Sequence, residues 1–154
     1  MSNVILRDTY NVLVNKIKEL KKEVRENSNQ IGEAADFGDL RENGEYKAAK
    51  EKQAMLFSTL KRLQPYLTAI IIEKKEISTE VVSFGTTVKL KDLVTQKVVS
   101  YTFVGPVEYE LEIYPSIVTF TSPLGKALVG KKKGESVYIE QSSKFLILDI
   151  EAAS

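Results

Sequence analysis

Apolar residues step by four and three from near the start of the chain: Leu6, Tyr10, Leu13, Ile17, Leu20 and Val24, then polar Asn27, then Ile31 and Ala34. The positions between them are mostly Lys, Glu, Asn and Arg, so the pattern is a heptad seam with one polar break. It predicts a helix from about Asp8 to about Phe37, roughly 45 Å long at 1.5 Å per residue. Asp8 suits its start and Gly38 its end. A second run, Tyr46, Ala49, Gln53, Leu56, Leu60, Leu63, Leu67 and Ile70, steps the same way. Two heptad helices joined by so short a break can only fold back on each other. The prediction is an antiparallel coiled-coil hairpin. Pro65 lies inside the second run, removes a backbone donor, and should kink or end that helix.

After Ile72 the period changes from 3.6 to 2. Thr87–Leu90, Val99–Phe103, Ile117–Phe120, Ser136–Glu140 and Lys144–Glu151 read as strands, with Gly105-Pro106 ending the second. Between them, Ser122 is a natural N-cap, Pro123 suits a first helical position, and Gly130 suits the position past a helix end. The expected fold class is α+β. A coiled-coil hairpin, residues 1–75, precedes a small, mostly antiparallel sheet domain with one short helix, residues 76–154. The boundary falls around Glu73 to Thr79.

Composition narrows the chemistry. Charged residues make up 28% of the chain, slightly high, as long exposed helices need. The net charge of +1 gives no bulk pull toward nucleic acid or membrane, so any electrostatic role must be local. With no Cys there is no disulfide or thiolate chemistry, and with no His the usual neutral-pH base and commonest zinc ligand are missing. No run has the length of a membrane span and the N-terminus lacks a signal pattern, so the cytoplasm is the expected compartment.

The break between the two helical runs concentrates charge. Glu33, Asp36, Asp39, Glu42 and Glu45 face Arg41 alone, while the shafts carry Lys16, Lys18, Lys21, Lys22 and Arg25 on one arm and Lys47, Lys50 and Lys52 on the other. Two readings fit. Asp39 and Glu42 have the spacing of a capping box, and acids are favoured in a first helical turn. That leaves Asp36 and Glu45 unexplained. The other reading is metal chemistry, since carboxylates are hard ligands suited to Mg²⁺, which needs only one or two from any one protein. Two acids on a stalk cannot complete an octahedral site, but they could complete one half-built in a partner, as in paired-metal nucleases.

Gly38-Asp39-Leu40-Arg41-Glu42-Asn43-Gly44-Glu45-Tyr46-Lys47-Ala48-Ala49-Lys50 resembles the tip signature of the bacterial Gre transcript-cleavage factors (GreA and GreB). Thr121-Ser122-Pro123-Leu124-Gly125-Lys126-Ala127-Leu128-Val129-Gly130-Lys131 is similar to that family's second signature. The resemblance implies a factor that is not itself an enzyme. Its hairpin enters the secondary channel of bacterial RNA polymerase. There Asp39 and Glu42 help hold a second Mg²⁺, bound only jointly with the polymerase, and Glu45 supports them. The polymerase then cleaves the 3′ end of backtracked RNA. The resemblance also implies an FKBP-like C-terminal domain docked at the channel rim, with Ser122, Pro123 and Leu124 in the contact. Pro123 and Leu124 equally suit a helix start and a core position. Lys47, Lys50 and Lys52 could lie near the extruded RNA or form a solvated helix face. Gly44 stands where the family pattern commonly has Ala, and Pro65 where a helix former is expected. Two rivals remain: a relative of the same fold that occupies the channel and inhibits, and a coiled-coil adaptor or chaperone.

Overall fold

The computed structural model describes residues 3–36, 44–140 and 143–153. The fold is α+β and divides into two compact units, Asn11–Ala69 and Met1–Tyr10 with Ile70–Ser154.

The first unit is helical. Helix α1 spans Arg7–Ala35 and α2 spans Gly44–Leu63. At 1.5 Å per residue α1 is about 43 Å long. Leu13, Ile17, Leu20, Asn27 and Ala34 of α1 and Ala49, Leu56, Leu60 and Leu63 of α2 are buried, while the lysines and glutamates between them are exposed. The heptad seam is therefore real, and its interior is lined as the stepping requires. Hydrogen bonds cross between the arms among the described residues. Asn27 Nδ2 donates to the Ala49 carbonyl at 2.9 Å, and Gln53 Nε2 to Ser28 Oγ at 3.2 Å. Residues 27–34 thus face residues 45–53, and both stretches adjoin the same break in the chain. The helices pair antiparallel. Pro65 ends α2 rather than kinking it: α-helix stops at Leu63 and a 3₁₀ turn follows over Gln64–Thr68, with the proline in its first turn.

The second unit is built on a five-stranded sheet. In sequence its strands are β3 (Thr86–Asp92), β4 (Val98–Phe103), β5 (Ile117–Val118), β6 (Ser136–Glu140) and β7 (Ser143–Ala152), in spatial order β5-β4-β3-β7-β6. All neighbours are antiparallel except β4 and β5. The core beneath it holds Val82, Val88, Leu90, Phe103, Val118, Leu128, Val137, Ile147 and Ile150. A separate two-stranded parallel pair joins β1 (Val4–Leu6) to β2 (Ile70–Ile72), in the register Val4↔Ile70 and Leu6↔Ile72.

Three local expectations need correction. Leu6 and Ile70 extend the heptad stepping on paper but lie in strands. The run Ile70-Ile71-Ile72 is β-branched and follows the proline that stops α2, so extension wins. Gly105-Pro106 ends β4 but also opens a second short helix, α3 (Pro106–Glu110). Proline suits its first position, and Glu108 reaches back to accept from the Gly105 N–H at 3.0 Å. Strand β5 stops at Val118 because the next carbonyl, of Thr119, turns to accept from both N–H and Oγ of Ser122.

Candidate functional site

The expected site has two parts, and the structure describes them unequally. Asp39 and Glu42 lie outside the described residues. Glu45, the next acid, sits in the first turn of α2 and is exposed. There an anionic side chain is favoured by the exposed N–H groups and the positive end of the helix dipole. Lys47, Lys50 and Lys52 follow on the same helix, all exposed. Spacings of three and five put Lys47, Lys50 and Lys52 on outward positions, while Ala49 turns into the seam. Asp36 lies in the turn closing α1, its N–H donating to the Glu33 carbonyl at 3.2 Å. Thus the two arms stop at residues 35 and 44, and the chain between their ends carries Asp39 and Glu42.

Next to that end lies an open groove of about 400 Å³, lined by Gln30, Glu33, Ala34, Glu45, Ala49 and Lys52 among others. Its rim carries two carboxylates and one ammonium. Among the described residues no group of three or more acids is placed to hold a metal ion.

The second part is helix α4 (Pro123–Leu128) and the turn before it. Ser122 caps the helix, its Oγ accepting from the Gly125 N–H at 3.1 Å while donating to the Thr119 carbonyl at 2.7 Å. Pro123 occupies the first turn and is exposed; Leu124 is half-buried and packs against the sheet core. Sequence reasoning missed what Gly125 does. A Cβ there would stand 1.9 Å from the Thr119 carbonyl oxygen, so only glycine lets the helix press onto the preceding strand end. Leu128 is fully buried, and Gly130, at φ +80°, turns the chain so that its N–H reaches the Val82 carbonyl at 2.8 Å. The motif Ser122-Pro123-Leu124-Gly125 thus builds a rigid corner with Pro123 on its outside.

A buried polar group also escaped the sequence reading. Glu108 has no exposed surface. Burial pushes its carboxyl above the ordinary range, against the opposing pull of the Thr9 hydroxyl and the Gly105 N–H. Tyr114, raised to about 12, is shifted by burial and by the nearby charges of Asp8 and Glu108. The signal in sequence was the spacing of Gly105 and Glu108, a capping pattern three apart. Thr9 Oγ1, Glu108 Oε2 and Tyr114 Oη are buried without a hydrogen-bond partner among the described residues, and these groups form no reactive constellation.

Among the described residues no helix is long and apolar enough to cross a membrane. Two family models account for nearly the whole chain. "Transcription elongation factor, N-terminal" matches residues 3–72, and "Transcription elongation factor, GreA/GreB, C-term" matches residues 77–152. A protein of Helicobacter pylori (strain Shi470) named "Transcription elongation factor GreA" is 40% identical over 148 residues, 92% of this chain and 88% of its own. One of the same name from Chloroherpeton thalassium is 43% identical over 133 residues, covering 85% and 83%. Among solved structures, GreA factor homolog 1 (Gfh1) of Thermus thermophilus aligns over 99% of this chain and 100% of its own, at 22% identity and a TM-score of 0.46. A heptad hairpin, an acidic break, a capped Ser-Pro corner and matches to both family halves converge: the chain belongs to the GreA/GreB family of transcription elongation factors.

Proposed function

We propose that the protein inserts its hairpin into the secondary channel of bacterial RNA polymerase and stimulates cleavage of the 3′ RNA in backtracked complexes. The observation that carries this is the pairing of α1 and α2. Their seam is continuous, and the acids Asp39 and Glu42 belong to the short link that joins the two arms. The resemblance of that link to the family's tip signature assigns the acids their role.

The protein makes and breaks no bond itself in this reading. Asp39 and Glu42 supply oxygen donors, Glu45 adds negative charge beside them, and the polymerase contributes the remaining ligands. Hard carboxylate oxygens in a set too small to complete an octahedron fit an Mg²⁺ that is shared. Such an ion would be one of a pair, of which one would activate a water and the other stabilise the leaving oxygen. Lys47, Lys50 and Lys52 would position the extruded RNA through phosphate contacts that read no sequence. Pro123, on the outside of its corner, together with Ser122 and the exposed part of Leu124, would meet the channel rim. The expected setting is the cytoplasm.

The test is fragment release from a stalled, backtracked elongation complex. Asp39→Asn and Glu42→Gln should each bring release down to the rate without factor, while co-elution with polymerase persists. Full stimulation by either variant would overturn the mechanism. Inhibition by the unmodified protein would point to a channel-blocking relative, and failure to co-elute to an adaptor.

A further inference from the structure

We infer that Asn27 is a positioning residue: it sets the axial register of the hairpin and, through that, the reach of the tip carboxylates. The inference rests on the reading of the tip given above.

Asn27 is 1% exposed, in a seam whose other fully buried residues, among those described, are apolar. Its Nδ2 donates to the carbonyl of Ala49 on the opposite arm at 2.9 Å. That acceptor is backbone, whose height along the helix is fixed, so the bond specifies a height and not merely a neighbour. Its Oδ1 is buried without a hydrogen-bond partner among the described residues. A buried, half-satisfied amide carries a desolvation cost that a leucine of similar size does not. The position therefore gives up stability, and the known return for a polar residue in a heptad seam is register.

The neighbouring residues show why register needs help here. Toward the base, Leu13, Ile17 and Leu20 share the seam with Leu56, Leu60 and Leu63, all buried. Large knobs in matching holes penalise any slip. Toward the tip the buried positions are Ala34 and Ala49, flanked by half-buried Ile31, Tyr46 and Gln53. Methyl-sized knobs leave shallow holes, and shallow holes discriminate poorly between one register and the next. The polar layer at Asn27 and Ala49, extended by Gln53 to Ser28 at 3.2 Å, stands where the fully buried large knobs run out. A one-turn slip would move an arm by about 5.4 Å. A catalytic group tolerates displacement of only about 1 Å before its rate suffers severely.

The chain has no cysteine, so paired cysteines can report register without background. The probes are Ser28→Cys with Gln53→Cys for the native register, and Ser28→Cys with Phe57→Cys for a one-turn slip, each joined by a short bis-maleimide. With Asn27 present, crosslinking should favour the 28–53 pair. In Asn27→Leu the ratio should fall several-fold toward the 28–57 pair, with the thermal midpoint unchanged or raised. Stimulated RNA cleavage should drop about tenfold or more, with polymerase affinity held. Locking the 28–53 crosslink in the Asn27→Leu protein should restore cleavage. An unchanged crosslink ratio in Asn27→Leu, a lowered midpoint with lost helicity, or failure of the lock to rescue would overturn the assignment. If the unmodified protein stimulates no cleavage, the reading of the tip fails, and the crosslink ratio still decides the register.

Discussion

The two units hold their shape by different means. In Asn11–Ala69 almost every buried side chain comes from a repeat of three and four, and its partners are the corresponding positions of the opposite arm. In the sheet unit the core collects residues as far apart in sequence as Val82 and Ile150, and strands pair across long stretches of chain, as Thr86 does with Ala152. The hairpin therefore spreads its stability along a line, so that any one position can be weakened locally. The sheet unit concentrates it in a few places where backbone approaches backbone. Single substitutions should be felt more sharply there.

Gly125→Ala is the harshest probe of that contrast. The new methyl would stand 1.9 Å from the Thr119 carbonyl oxygen, an atom that cannot swing away as a side chain would. Helix α4 must leave its seat and take Leu128 out of the core. The expected cost is about 5 kcal/mol, an exceptional value for one methyl group. Urea denaturation followed by circular dichroism would show it, and a loss under about 1 kcal/mol would mean that α4 adapts. In the hairpin, Leu13→Ala removes a fully buried seam residue and should cost about 3 kcal/mol. That loss should appear chiefly in helical signal at 222 nm, with strand amides keeping their hydrogen-exchange protection. Equal loss of protection in both units would break the contrast.

The gentlest probe is electrostatic. Burial holds the Glu108 carboxyl above the ordinary carboxylate range. The folded chain then keeps that proton more tightly than the unfolded chain does. The associated stability is complete below the unfolded value and is lost as pH rises through the folded one. Glu108→Gln removes the titration, so the slope of stability against pH should flatten in that window. The same slope in both proteins would show that Glu108 is not its source.

The contrast also explains what could be read from residues alone. The heptad stepping announced α1, α2 and their fold-back, because a coiled coil is written locally. Alternation placed the strands for the same reason, and Ser122-Pro123 announced the start of α4. Leu6 and Ile70 fit the stepping, and only the pairing of Leu6 with Ile72 and of Val4 with Ile70, across most of the hairpin's length of chain, makes them strands. Helix α3 was hidden because Gly105-Pro106 ends a strand as readily as it opens a helix. At the candidate site the acids Asp39, Glu42 and Glu45 stood out by charge. Asn27 showed only as a gap in the pattern, since its acceptor is a backbone carbonyl, and backbone carries no letter.

The pairing of β1 with β2 bears on how the length of the hairpin arms can be changed. The chain departs just past Leu6 and comes home beside Val4, so its outward and return points are neighbours on one small ribbon. Along the chain, everything between Leu6 and Ile70 is an insertion between two paired strands. Deleting or adding seven residues in each arm would shorten or lengthen it by about 10 Å and leave both anchor strands in step.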